Sequence, residues 1–260
     1  SPMISYDKPF DQVSLVFIER LPNPSCTDFL GKTELERLCD TFPNAQIVID
    51  DTFTYSVGSN NDMWFELSPD ILERVNIMHS ATKYALGAVL NDTTGFMMLN
   101  NPQKAAEARD IVNLLNLNLH SEVLKNANDV VMPTFERRTS SILAANKRLS
   151  AALKTIPGLK VNNMYNARSF SVEMPEELVE GFMDILVKHN LGIHAVSLGA
   201  EQTTIMNSSK TTHSGVADMV SSGLVRINCG SDVAADLDQY LEPCLIELKD
   251  FFSKYQEIVK

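Results

Sequence analysis

Three apolar runs of the chain are each followed by polar side chains. The polar residues are Asn23 after SLVFIE, Asp50 and Asp51 after AQIVI, and Ser80, Thr82 and Lys83 after RVNIMH. The set holds a carboxylate and an amine, of which the amine can form Schiff bases with carbonyl compounds and the carboxylate can stabilise a nearby cation. These groups would suit covalent or acid–base chemistry wherever the three runs bring them together.

The pattern around these runs predicts that they are parallel strands of one sheet. SLVFIE (14–19) has almost no polar interruption, as expected of a parallel strand that is covered on both faces. Leu35, Leu38 and Phe42 then stand at helical spacing before AQIVID, and RVNIMHS follows as a third run. Because right-handed crossovers place the carboxyl ends of parallel strands on one side of a sheet, we expect the polar groups to share a pocket there.

The rest of the chain indicates two domains. TGFMML (94–99) predicts a fourth strand with core positions at Met97 and Met98, and a long helix is predicted from Met132 to Ile156. Beyond Gly158 the pattern changes to short strands and helices, ending in a helix from Val233 to about residue 255. We therefore predict a domain over residues 1–157 that includes a long connecting helix, and a smaller α+β domain over residues 158–260.

An amine and a carboxylate at one sheet edge suit pyridoxal phosphate in particular. This cofactor needs a lysine for its Schiff base, an acid to keep its pyridine nitrogen protonated, and donors for its phosphate. Taken one by one, the residues allow other interpretations. A lysine after a strand is commonly a solvated charge, Asp50 and Asp51 could cap a helix or hold magnesium, and Ser80 and Thr82 could cap a turn.

Five segments in order resemble the Cys/Met-metabolism family of pyridoxal-phosphate enzymes, the group of cystathionine γ-synthase, the cystathionine lyases and methionine γ-lyase. The segments are FIERLPNP, IVIDDTF, HSATKYALG, AVSLGAEQTTI with TTH (211–213) behind it, and SGLVRINCGSDVAADLDQYL. They extend from about residue 14 to residue 243. The resemblance implies an α/β fold of the aspartate-aminotransferase-like type I, here a partial large domain with a mainly parallel sheet and a C-terminal α+β domain.

The resemblance also implies which residues bind the cofactor. Lys83 would form the Schiff base and would later move a proton from the substrate's Cα, for which its amine must be neutral. Asp50 would pair with the pyridinium nitrogen. Asn23 would bind the phenolic oxygen of the ring, and Ser80 and Thr82 would donate hydrogen bonds to the phosphate.

Two further residues are implied in substrate binding. Arg226 would clamp the substrate α-carboxylate, and Ser197 would help to position that carboxylate or the ring. An ion pair of Arg226 with the acidic C-terminal helix is the open alternative, since an unpaired buried charge is costly. The implied reaction is β- or γ-elimination or replacement on a sulfur-containing or homoserine-type amino acid, with lyase and synthase not separated.

One departure from the family lies before Ser14, where the family's long N-terminal region has almost no counterpart. That region supplies a phosphate loop, an aromatic residue that stacks on the ring, the first strands of the large domain and an arm to a neighbouring subunit. Three explanations are open: a second polypeptide supplies the missing half and the oligomer contacts, the chain is a non-catalytic binding or structural subunit, or the short chain is complete. The joint presence of all seven site residues favours the first.

Composition and charge exclude several classes of function. With 22 basic against 33 acidic residues and no basic cluster, binding to nucleic acid or to an anionic membrane is not expected. The apolar runs are too short to cross a bilayer, and we expect a cytoplasmic protein that acts on a small amino acid. Neither the five histidines nor the four cysteines have metal-ligand spacing, so no metal site is expected.

Overall fold

The structure is a computed structural model that describes residues 9–21, 26, 30–52, 66–80, 95–115, 132–163, 167–195, 202–210 and 223–259. The chain forms two compact units: residues 1–21 with 28–136, the first unit, and residues 22–27 with 137–260, the second unit. The division falls inside the helix over 132–153 that the sequence assigned to the first domain. The domain boundary near residue 157 stays a prediction.

The first unit contains a four-stranded sheet in the order β1-β2-β3-β4. The strands are β1 (Leu15–Glu19), β2 (Gln46–Asp50), β3 (Val75–Ser80) and β4 (Gly95–Leu99). The first three are parallel, and β4 runs antiparallel to β3. The structure therefore confirms the predicted strands and places the carboxyl ends of β1, β2 and β3 on one side of the sheet.

One face of this sheet carries the core of the first unit. The helices of the unit are α1 (Lys32–Thr41), α2 (Pro69–Leu72) and α3 (Pro102–Leu114). Leu35 and Cys39 of α1 pack on Ile47, Ile49 and Val75 of the sheet. Because side chains alternate along a strand, the apolar residues at every second position of β1 and β2 face the same layer.

The sheet exposes apolar residues, which corrects two expectations. Leu15 and Phe17 are each 57% exposed, so SLVFIE is not covered on both faces: β1 is the last of the described strands in the order, and the described core packs on its other face at Val16 and Ile18. Met97 and Met98 are exposed too, at 55% and 49%, and are not core residues. Large apolar side chains of α3 and of the residue after it, Ile111, Leu114 and Leu115, are likewise exposed.

The second unit is an α+β structure with a five-stranded sheet in the order β5-β6-β9-β8-β7. Its strands are β5 (Lys160–Asn162), β6 (Ser169–Met174), β7 (Ile193–His194), β8 (Thr204–Asn207) and β9 (Gly223–Asn228). Its helices are α4 (Met132–Leu153), which begins in the first unit, α5 (Val179–Lys188) and α6 (Ser231–Val259). Of the strand pairs, β7 with β8 is parallel and the others are antiparallel.

A single large core joins one face of this second sheet to its helices. Val225 and Ile227 of β9 point into the core with Phe170 of β6, and the helices α5 and α6 pack over them. Gly181 permits a close helix contact, since a Cβ atom there would lie 2.6 Å from the ring of Phe251 on α6. No helix in the described part of the chain combines the length and the apolar character needed to span a bilayer.

Candidate active site

Main-chain hydrogen bonds hold the carboxyl ends of β1, β2 and β3 side by side. The N–H of Arg20, just after β1, donates to the carbonyl oxygen of Asp50 at 2.9 Å. The N–H of Asp51, just after β2, donates to the carbonyl oxygen of Met78 at 2.9 Å. The polar residues behind these strands therefore start from neighbouring positions, as the sequence predicted.

Asp50 is the last residue of β2, and it is half-buried. Its Oδ1 accepts a hydrogen bond from the N–H of Thr52 at 2.9 Å, so the carboxylate is oriented by the chain that follows it. The register places Asp50 between Glu19 of β1 and Met78 of β3. A fixed carboxylate at this edge can stabilise a cationic group of a bound ligand.

The adjacent carboxylate, Asp51, has a different role. It is 1% exposed and forms an ion pair with Arg20, whose Nη1 lies 3.3 Å from Oδ1 and 3.2 Å from Oδ2. Asp50 and Asp51 thus have different partners, which does not favour the interpretation that they bind one magnesium ion together. This pair was not predicted from the sequence, although an arginine directly after an apolar strand was a signal for it.

Ser80 ends β3, and Thr52 links it to the end of β2. The N–H of Ser80 donates to Oγ1 of Thr52 at 3.0 Å. Asp50 pairs with Met78, two residues before Ser80, so Asp50 and Ser80 lie on the same face of the sheet. The structure thus brings these two predicted site residues together through Thr52, which the sequence analysis did not single out.

Four of the predicted site residues lie outside the described residues. They are Asn23, Thr82, Lys83 and Ser197. In the sequence Thr82 and Lys83 come two and three residues after Ser80. The roles of all four stay predictions.

Arg226 lies in the middle of β9 in the second unit. Its side chain is on the face opposite the apolar core, and the residue is 2% exposed. Its neighbours across the sheet are Ser171 on β6 and Met206 on β8, and its Nη2 lies 3.5 Å from the sulfur of Met206. The predicted carboxylate-binding arginine is therefore a buried strand residue.

A buried polar row crosses the sheet two residues beyond Arg226. The hydroxyl of Ser169 donates to Oδ1 of Asn228 at 2.5 Å, and Nδ2 of Asn228 donates to Oγ1 of Thr204 at 2.8 Å. All three residues are at most 3% exposed. This face of the second sheet is polar while the other is apolar, so it can accommodate a charged ligand group such as a carboxylate.

Cys39, Cys229 and Cys244 are free thiols, and all three are buried. Burial raises the pKa of the Cys229 thiol to about 12, against the opposing effect of the positive charge of Arg168. Burial likewise raises the pKa of Cys244 to about 12. Both thiols are therefore protonated at neutral pH and unsuited to act as nucleophiles. Arg168, at 2% exposed, is a buried arginine of the second unit besides Arg226, and no motif in the sequence pointed to it.

Comparison with known proteins supports the resemblance seen in the motifs. No family model matches the chain. An L-methionine gamma-lyase from Brevibacterium aurantiacum is 26% identical over 246 residues, which cover 87% of this chain and 57% of the lyase. The chain thus spans a little over half the length of this relative.

Solved structures share the fold. A cystathionine gamma synthase from Xanthomonas oryzae pv. oryzae aligns with a TM-score of 0.68 at 19% identity, covering 91% of this chain and 64% of that one. A cystathionine gamma-lyase from Lactobacillus plantarum aligns with a TM-score of 0.66 at 18% identity, with coverages of 91% and 64%. The type I α/β fold predicted from the sequence is confirmed, and so is the resemblance to the Cys/Met-metabolism group.

Proposed function

We propose that this chain is a pyridoxal-phosphate-dependent enzyme, or the larger part of one, that catalyses β- or γ-elimination or replacement on a sulfur-containing or homoserine-type amino acid. The observation that carries the proposal is the placement of Asp50 and Ser80 at adjacent strand ends, with the ATK segment directly behind Ser80. The likeness to a methionine gamma-lyase supports it. The cytoplasmic location stays a prediction.

The described residues fit the cofactor. The Asp50 carboxylate is oriented at the sheet edge by the Thr52 N–H, as an acid facing a pyridinium nitrogen must be. Ser80 lies on the same face and would donate to the phosphate with Thr82, while Asn23 would bind the phenolic oxygen. When bound, pyridoxal phosphate supplies an electron sink that stabilises negative charge at the substrate Cα.

The protein's own residues would bind the substrate and move its proton. In our proposal Lys83 would hold the cofactor covalently and, as a free neutral amine, would take the proton from the substrate Cα. Arg226 would hold the α-carboxylate, since a planar guanidinium matches a carboxylate with two parallel hydrogen bonds. Ser197 would help to orient that carboxylate or the ring.

We further propose that a second polypeptide completes the enzyme and contributes oligomer contacts. The chain spans 57% of its methionine gamma-lyase relative and 64% of the solved cystathionine enzymes. In the first unit the described edge strand β1 exposes Leu15 and Phe17, and the same sheet face bears Asp50. An added polypeptide that covered this face would bury apolar surface and would lie next to the candidate site.

A non-catalytic subunit is the second candidate. The same exposed apolar face of the first unit favours it, because docking onto a partner would need that face and would not need a cofactor. The two candidates differ in whether Lys83 reacts with pyridoxal phosphate.

The test is a cofactor titration of the purified protein together with any chain that co-purifies with it. We expect a visible absorbance band on adding pyridoxal phosphate, and borohydride reduction should fix the cofactor mass to Lys83. A Lys83→Ala variant should show neither, while the control Lys254→Ala, at an exposed position on α6, should behave as wild type. A wild-type protein that stays colourless would favour the non-catalytic subunit.

Native mass analysis tests the second polypeptide separately. We expect a complex that holds another chain, and we expect ammonia and a keto acid to be released from a sulfur-containing amino acid only by that complex. A chain that binds the cofactor and turns over substrate by itself would contradict the second polypeptide and leave the enzymatic proposal intact.

A further inference from the structure

Thr52 connects the ends of β2 and β3 through two hydrogen bonds. Its N–H donates to Oδ1 of Asp50 at 2.9 Å, and its Oγ1 accepts from the N–H of Ser80 at 3.0 Å. Thr52 itself is 7% exposed, while Asp50 and Ser80 are half-buried, so both hydrogen bonds are partly shielded from water. We propose that Thr52 is a positioning residue that fixes the Asp50 carboxylate relative to the Ser80 end of β3.

The bond to Ser80 extends the pairing of the two strands beyond their main-chain register. That register ends at Asp50 and Met78, followed by the bond from the N–H of Asp51 to the carbonyl of Met78. The next N–H of β3 on the side of β2 is that of Ser80, and it donates to the side-chain hydroxyl of Thr52. The hydroxyl of Thr52 therefore holds the ends of β2 and β3 together one step beyond the last main-chain bond between them.

The bond to Asp50 acts on the carboxylate itself. An N–H two residues further on that donates to an aspartate oxygen limits the side chain to one orientation. The same threonine thus contacts the residue proposed to face the pyridine nitrogen and the residue proposed to bind the phosphate. The inference rests on the proposed function, because a fixed separation of these two groups matters for catalysis only when a cofactor spans them.

A purely local turn would explain only half of this arrangement. Turn formation after β2 requires the bond within residues 50–52 and nothing more. The bond to Ser80 joins residues 28 positions apart in the sequence and reaches a different strand. Its removal should therefore be visible at Ser80 and not only in the turn.

The first experiment measures amide hydrogen exchange in the full chain without added cofactor. Thr52→Val keeps the shape and the N–H of residue 52 but removes the acceptor, whereas Thr52→Ser keeps the hydroxyl and is the matched control. We expect Ser80 to exchange at least about tenfold faster in the valine variant and within about threefold of wild type in the serine variant. Ile47 and Ile49, inside β2, should be unchanged in both.

The second experiment follows pyridoxal phosphate binding by its visible absorbance, with any co-purified chain present. We expect about tenfold weaker binding by Thr52→Val, and a shifted pH midpoint of the absorbance, because the Asp50 carboxylate keeps its bond to residue 52 but is no longer held at a fixed distance from the Ser80 end of β3. Thr52→Ser should restore both. A residue that merely supports the fold would not move the pH midpoint.

The outcomes separate the contact, its role and the proposed function. Unchanged exchange at Ser80 in Thr52→Val overturns the inferred link between the strands. Faster exchange with unchanged cofactor affinity and pH midpoint overturns the positioning role. A wild-type protein that binds no cofactor overturns the proposed function and the positioning role with it, while hydrogen exchange still decides the contact. Faster exchange at Ile47 and Ile49 in Thr52→Val would mean that the valine disturbs the whole of β2. In that case Thr52→Ala replaces it, and exchange at Ser80 and cofactor binding decide as before.

Discussion

The two units differ in how their sheets are covered. In the described residues of the second unit, 24 buried residues form one core on one face of the five-stranded sheet. The other face of that sheet carries buried polar side chains, among them Arg226 and Asn228. In the first unit the described core has seven residues on one face of the sheet, and the other face exposes Leu15, Phe17 and Met97. The second unit therefore has the burial expected of a self-supporting domain, whereas the first has the surface of a structure that is covered in part.

The difference shows where stability and site geometry come from in each unit. Apolar burial contributes roughly 25 cal/mol per Å², so the second unit is stabilised mainly by its core. The first unit adds polar contacts at its strand ends to its smaller described core, namely the Arg20–Asp51 ion pair and the hydrogen bonds of Thr52. These are also the contacts that shape the candidate cofactor site, so stability and site geometry are coupled there.

The largest expected effect is the loss of a core aromatic residue in the second unit. Phe170→Ala removes a fully buried side chain from β6 and should lower the free energy of unfolding by about 3–5 kcal/mol, since it leaves a cavity. Hydrogen exchange of the β6 and β9 amides during urea titration would measure it.

The matched control for this change is Phe17→Ala on β1. Phe17 is 57% exposed, so its loss should cost less than about 1 kcal/mol, measured on the β1 and β2 amides. Equal losses for Phe170→Ala and Phe17→Ala would mean that the exposed face of β1 is covered in solution, and the contrast between the units would fail.

The next effect concerns the ion pair of the first unit. Asp51→Asn removes the charge that pairs with buried Arg20. It should lower the free energy of unfolding, measured by hydrogen exchange of the β2 amides, by about 3 kcal/mol. This value is the lower end for a broken buried pair, because the oxygen of the asparagine amide still accepts a hydrogen bond. The control is Asp250→Asn, which removes the charge that pairs with Lys254 on α6. Both side chains are at least 60% exposed, so the free energy of unfolding should change by no more than about 0.5 kcal/mol. Similar small costs for both variants would argue that polar contacts do not support the first unit.

The sequence sufficed for much of this architecture because its signals were local. Apolar runs with polar residues behind them predicted β1, β2 and β3. The exposure of Leu15 and Phe17 was not predictable, because periodicity shows which residues form a face and not whether this chain covers it. The contacts of Arg20 with Asp51 and of Thr52 with Ser80 join residues far apart in sequence, so they needed the folded coordinates.

The smallest expected effect lies on the surface of the second unit, at Glu247 of α6. Hydrogen bonds from Lys188 and then His189 hold the pKa of this carboxylate below its usual 4.5. A lowered folded pKa means that the associated stabilisation is present above pH 4.5 and is lost as the pH falls through the folded value. Lys188→Ala should therefore raise the Glu247 pKa toward 4.5 in an NMR titration, while Lys249→Ala, which removes the same charge two residues along α6, should change it less. An equal rise in both variants would assign the shift to general surface charge, and the contact between Lys188 of α5 and Glu247 of α6 would then contribute nothing to the pH response of the second unit.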